Sequence, residues 1–147
     1  MIAGLAAAQR LLTWSDRVSR TAARKTFTDL TAHLYFSRND SLALVSAHQA
    51  LPLLDELDPA EDRLHFDRQS RVYHYGALAW LRRQQPDSAD AWVKAGLALA
   101  TRGRERDDQN QDGLLYTISQ LHIRQSESDT LRFSIDPNPR WNDSAIA

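Results

Sequence analysis

Apolar positions in this chain recur at spacings of three and four for most of its length, which is the period of a helix packed on one side. In the first segment, from about Ile2 to Ser37, Leu11, Val18 and Ala22 fall on one side, and Arg10, Arg17, Arg20 and Arg24 fall together on another. Alanine, leucine and arginine dominate it and proline is absent, so helix is favoured. Thr13-Trp14-Ser15-Asp16 supplies capping groups and predicts a division into two helices. Arg38-Asn39-Asp40-Ser41 is a turn with N-cap residues. The helix after it runs through Leu57, with Pro52 predicted to kink it or to split it into two short helices.

Asp58-Pro59-Ala60-Glu61 is the clearest local start signal: a capping acid, a proline at the first helical position, and a glutamate placed to reach back. The spacing predicts a helix from there to about Gln84, stopping before Pro86. Phe66, Tyr73 and Trp80 repeat every seven residues as one stripe, and Val72, Tyr75, Gly76 and Ala79 make a second apolar face. A helix apolar on two faces is packed on both, which places this one centrally.

Pro86-Asp87-Ser88 opens a helix from about Ala89 to Arg102, with Gly103 as its expected stop. Arg104–Asp112 reads as a loop or frayed extension ended by Gly113. Beyond it two readings stand. Leu114, Ile118 and Leu121 align on a helix across Leu114–Arg124, yet that stretch also alternates. Leu131, Phe133 and Ile135 alternate as a short strand, with Gln125–Asp129 as the turn of a hairpin. Asp136-Pro137-Asn138-Pro139 must be extended or turning, and the tail from about 136 is expected to be loose. The expectation is an all-α single domain, a bundle of about five or six helices, with a short C-terminal β-hairpin as the alternative at its end.

Composition adds limits. At 147 residues, 42% hydrophobic and 25% charged, the chain suits one folded domain with a real core, and is too apolar for disorder. No run approaches the roughly 20 apolar residues of a bilayer span. The N-terminal MIAGLAAAQRLL lacks a leading positive charge and meets Arg10 too soon for a secretion signal, so it reads as helix. With no cysteine there is no disulfide framework, thiolate zinc site, iron–sulfur cluster or cysteine nucleophile, and a cytoplasmic location fits. The net charge of −1 predicts no general attraction to nucleic acid or membrane. The charge is nonetheless blocky: a basic stretch to Arg38, an acidic one over 39–62, then a basic one over 63–86.

Pro86, then Trp92, Ala95-Gly96, Leu99 and Gly103 stand in the order of a tetratricopeptide-repeat first helix. The stretch resembles that family over about 18 residues, and the resemblance implies helix-pair packing and a protein- or peptide-binding groove without catalysis. The pattern departs afterwards. Asp108 and Asp112 stand where small and aromatic core residues of the second helix belong, and no second copy follows.

Other patterns bear on chemistry. Asp108-Gln109-Asn110-Gln111-Asp112-Gly113 matches the start of a calcium loop, with Asp108, Asn110 and Asp112 as oxygen ligands. The closing bidentate acid would fall at Ser119, which cannot supply it. The arginine stripe Arg10, Arg17, Arg20 and Arg24 suits an acidic protein partner or phosphates, or pairing with the acidic block Asp55–Asp62 within the fold. That acidic block sits at a helix N-terminus, where the macrodipole already accounts for it without a metal. His33, His48, His65, His74 and His122 include no pair at zinc spacing, and no phosphate loop, dinucleotide fingerprint or nucleophile elbow is present. Phe66, Tyr73 and Trp80 are expected in the core, or as anchors for a partner.

The functional expectation is a protein–protein interaction module (an adaptor, an accessory or chaperone-like factor, or an inhibitor or immunity-type protein) in which arginine steers an acidic partner. Two alternatives stand beside it: a small enzyme or ligand-binding protein with a dispersed site, and nucleic-acid binding through the arginine stripe, the less favoured because the domain as a whole is not basic.

Overall fold

The computed structural model describes residues 3–12, 17–106 and 110–135. Six α-helices follow one another: α1 (Ala3–Leu12), α2 (Arg17–Phe36), α3 (Asp40–Asp55), α4 (His65–Arg82), α5 (Pro86–Glu105) and α6 (Gln111–Ile135). No strand occurs among the described residues, so the chain is an all-α bundle. The capping stretch Thr13–Asp16 and the tail from 136 lie outside them.

Helix α4 is the hub. It packs against α2, α3, α5 and α6, while α1 packs on α2, α2 on α3, and α5 on α6. Its two apolar faces explain this position. On one side Val72 joins Ala23 and Phe27 of α2 and Ala47, Leu51 and Leu54 of α3. On the other side Phe66 joins Ala100 of α5 and Leu114 of α6, and Ala77 joins Val93 and Leu121. The α4–α5 contact is close because each helix offers a glycine to the other's aromatic ring. A Cβ at Gly76 would stand 2.3 Å from Trp92, and one at Gly103 would stand 2.7 Å from the Phe66 Cβ. Gly103 therefore does not stop α5, as its position in the sequence suggested. It lies buried inside the helix, where only a missing side chain admits Phe66.

Three other boundaries differ from expectation. Asp58-Pro59-Ala60-Glu61 opens a short 3-10 turn over Pro59–Glu61, not α4 itself. The Asp58 side chain accepts from the Ala60 N–H at 2.9 Å, and the Glu61 carboxylate accepts from Arg20 of α2. Asp62 then accepts from the Leu64 N–H at 3.0 Å, and α4 starts at His65. Helix α3 is one element through Pro52, whose ring sits on the exposed face, so two short helices do not form. Last, Gln111–Ile135 is a single helix, and neither the strand over Thr130–Ile135 nor the turn at Gln125–Asp129 is formed. The buried positions Leu114, Thr117, Leu121 and Ser128 are spaced three, four and seven apart, a helical period that overrides the local alternation. The Ser128 hydroxyl donates to the Pro86 carbonyl at 2.8 Å, which ties this part of α6 to the start of α5.

Two helix ends reverse the chain without glycine. Arg38 after α2 and Gln84 after α4 take left-handed φ values of 62° and 57°. In each case the next residue's N–H reaches five residues back: Asn39 to Leu34 and Gln85 to Trp80, both at 3.0 Å. These turns set α3 against α2 and α5 against α4.

Candidate functional site

The arginine stripe read from the sequence is not one exposed surface. The Arg20 Nε donates to Glu61 Oε2 at 2.7 Å, and its Nη2 bonds the other carboxylate oxygen. Arg24 is 1% exposed; its Nη2 donates to the Asp58 carbonyl at 2.6 Å and its Nη1 stands 3.8 Å from Glu61. Both guanidinium groups thus face the acidic segment that precedes α4. Arg20 holds the Glu61 carboxyl below its ordinary range, and burial pulls the Arg24 guanidinium down from its own. Arg10 is exposed near the end of α1, and the side chain of Arg17 lies outside the described residues.

The aromatic stripe is likewise turned inward. Phe66 is 5% exposed and packs between α5 and α6. Tyr73 lies edge-on to Trp92 with ring centroids 5.4 Å apart, and Trp80 is half-buried with its indole N–H out of contact with solvent. The calcium-loop reading meets a plain obstacle. Asp108 lies outside the described residues, but Gln111 to Ser119, which would have to wrap the ion, are helical. Asp112 is exposed in the first turn of α6, and the Ser119 hydroxyl donates to the Tyr116 carbonyl. Among the described residues no group of three histidines or acids is placed to hold a metal.

The structure instead draws attention to the outer face of α4. Leu64, just before the helix, and Arg68, Arg71, Tyr75, Leu78 and Arg82 recur at intervals of three and four. Helices α2 and α6 flank α4 along this face. Two depressions open there. One, about 270 Å³, lies between α2 and α4 and includes Lys25, Asp29, Asp67, Arg68 and Arg71. The other, about 50 Å³, lies between α4 and α6 and includes Arg71, His74, Tyr75, Tyr116 and Gln120. Arg71 borders both.

Polar contacts tie together the elements that line this trough. Asp67 is 4% exposed, accepts from the Thr117 hydroxyl at 2.8 Å, and pairs with Arg71 at 3.1 Å. Arg68 donates to Asp62 at 2.5 Å. His74 is held neutral: burial first, then the cations Arg124 and Arg71, push it down to about 4. Burial raises the Tyr75 phenol.

Beyond Tyr75 the trough ends in aromatic side chains. The Phe36 ring stands edge-on to Tyr75 at 5.7 Å and edge-on to Tyr35 at 5.4 Å, while Tyr35 and Tyr75 are 6.1 Å apart. The Arg82 guanidinium lies 4.0 Å above the Tyr35 ring and donates to Asp40 at 2.8 Å. Phe36 is still 68% exposed and Tyr116 61%. Exposed Arg38 and Arg83 stand at the same end, whereas Asp40 is largely covered. None of Tyr35, Phe36, Arg71 or Arg82 was singled out in the sequence. Tyr35-Phe36 beside a turn was the available signal, but its significance depends on the approach of α2 to α4.

No protein-family model, curated protein or solved structure matches this chain.

Proposed function

We propose that the protein is a small protein–protein interaction module that receives a segment of its partner in the outer trough of α4. The observation that carries this reading is the Phe36 ring, in contact with Tyr35 and Tyr75 yet 68% exposed, beside the depression that Tyr75 lines. An aromatic side chain fixed in place but not covered loses little side-chain entropy when a partner covers it, which is the property of an interface anchor. The exposed arginines Arg38 and Arg83 and the half-exposed Arg71 favour an acidic segment. The cationic surface on this reading lies along α4 and its flanks, not on Arg20 and Arg24, which already face acids within the fold.

The test is to pan a displayed peptide library on the folded protein, with Phe36→Asp as the counter-selecting bait. The reading expects enriched peptides that carry acidic residues beside an apolar or aromatic one and that the variant does not retain. Enrichment that ignores the variant, or no enrichment, contradicts it.

A further inference from the structure

The depression between α4 and α6 differs from its larger neighbour in size and in charge. It holds about 50 Å³ and is bordered by Arg71, His74 and Tyr75 of α4 and by Tyr116, Thr117 and Gln120 of α6. A water-sized group needs roughly 10–15 Å³, so there is room for about three or four of them, which suits the carbon and two oxygens of a carboxylate. The larger depression, about 270 Å³, sets no such limit, and two acids, Asp29 and Asp67, border it. None of the six residues around the small one is acidic. Its walls also carry donors that the fold does not use. The His74 Nε2 is shielded from solvent and meets no hydrogen-bond partner among the described residues. Arg71 directs its Nε and Nη2 to Asp67, at 3.3 and 3.1 Å, and its Nη1 has no partner among the described residues. The hydroxyls of Tyr75 and Tyr116 and the side-chain amide of Gln120 are likewise uncommitted there.

We infer that this depression is a binding site for one carboxylate group, held by the Arg71 guanidinium and the His74 Nε2. An aspartate or glutamate of a partner segment is the source that the trough reading supplies, and the inference rests on that reading for the source alone; a free small carboxylate has the same chemistry. A segment lying along α4 would seat one acid here and an apolar neighbour on Phe36, whose ring stands 5.7 Å from that of Tyr75. A buried nitrogen without a partner is costly, and a carboxylate oxygen removes that cost with a charged acceptor. The charged groups nearest His74 are Arg71 on its own helix, held by Asp67, and Arg124 on α6, whose Nη1 is held by Glu127. Lys25 and Asp29 of α2 border the larger depression instead. A bound carboxylate favours the protonated ring. It therefore raises the His74 midpoint from about 4, and binding strengthens as pH falls toward that midpoint, for as long as the carboxylate stays ionised.

The test follows the His74 ring by NMR in the full chain, with its signals assigned through His74→Gln, as sodium acetate replaces sodium chloride at constant ionic strength. The His74 signals should shift saturably with acetate, and their midpoint should rise. Gln120→Glu keeps the side-chain size and puts an acid on the wall, so it should weaken acetate binding by about tenfold or more while the helical circular dichroism is kept. A second arm uses an acidic peptide recovered by panning and its copy with the acid changed to the amide. Loss of affinity for the amide peptide on the wild-type protein, with little further loss on Gln120→Glu, assigns the carboxylate to the partner segment. An acetate response without any peptide binding supports the site with a free small carboxylate as its occupant, and contradicts the trough reading instead. Peptide binding that ignores both the amide and Gln120→Glu, with no acetate response at His74, overturns this inference and leaves the trough reading standing. A His74 shift that is equal in chloride and acetate, or that survives Gln120→Glu unchanged, overturns it as well.

Discussion

Gly76 on α4 lies against the face of Trp92 on α5 so closely that a Cβ there would stand 2.3 Å from two ring carbons, Cε3 and Cζ3. Alanine in a helix interior is ordinarily better than glycine by about 1 kcal/mol. At this position the sign reverses, because the Trp92 ring is also engaged by Tyr73 and His48 and must shift as a whole. Gly76→Ala is expected to destabilise by about 1–3 kcal/mol. Gly4→Ala is the control: the nearest described atoms to its Cβ are the Leu30 methyl groups, at 3.4 and 3.5 Å, and the change should be neutral or mildly stabilising. Chemical denaturation of the two variants decides the matter, and equal effects would contradict the packing described.

The reverse turn at Gln84 offers a gain. Its φ of 57° disfavours any side chain with a Cβ. The side chain is exposed, so Gln84→Gly should stabilise by up to about 1 kcal/mol, read as a higher melting temperature. A lower melting temperature would mean that the side chain contributes something beyond its backbone geometry.

Two histidines predict how stability depends on pH. Burial, with Arg24 adding to it, pushes His65 down to about 4, and His74 reaches about the same value through burial, Arg124 and Arg71. Both are neutral in the fold and take up a proton on unfolding below their ordinary value of 6.5. The unfolded state then binds more protons, so stability is intact above about pH 6.5 and falls as pH drops toward 4, where the folded-state groups protonate too. Within that window each contributes a slope on the order of 1 kcal/mol per pH unit. His74→Gln should flatten the profile by about half. An unchanged slope between pH 6.5 and 4 would contradict the assignment.

Arg24 is buried with its Nε and Nη1 lacking hydrogen-bond partners, although Glu61 stands nearby. Its charge is therefore poorly compensated for its depth. Arg24→Met keeps the volume and removes the desolvated cation, and is expected to leave stability unchanged or raised. Glu61→Gln, which takes the counter-charge from Arg20 and Arg24 together, is expected to lower it. Urea midpoints for the two variants should move in these opposite senses, and a loss at Arg24→Met as large as that at Glu61→Gln would contradict the account.

Much of the fold was legible because its cause is local or periodic. The two apolar faces of α4 announced its central place, and Pro86 marked the start of α5. The pairing of the arginine stripe with the acidic block was one of the readings that the charge pattern offered, and Arg20 and Arg24 do face Glu61 and Asp58. Gly103 was misplaced because a glycine that ends a helix and one that admits a neighbour's ring look alike until the neighbour is known. The strand-like alternation of Leu131, Phe133 and Ile135 was overridden by the helical spacing of the α6 positions that pack on α4 and α5. The trough was not legible. Phe36 and Tyr75 are far apart in sequence, and only the packing of α2 on α4 brings them together.

The most direct measurement is the affinity of a peptide recovered by panning for the wild-type protein and for Phe36→Ala, by fluorescence anisotropy with both proteins shown to be folded. Phe36 touches only Tyr35 and Tyr75 among the ring contacts and is largely exposed, so its truncation should leave the fold intact. The account predicts weakening by about tenfold or more, which is about 1.4 kcal/mol of binding free energy. Equal affinity for the two proteins would contradict the claim that the α4 trough, with Phe36 as its anchor, is where a partner binds.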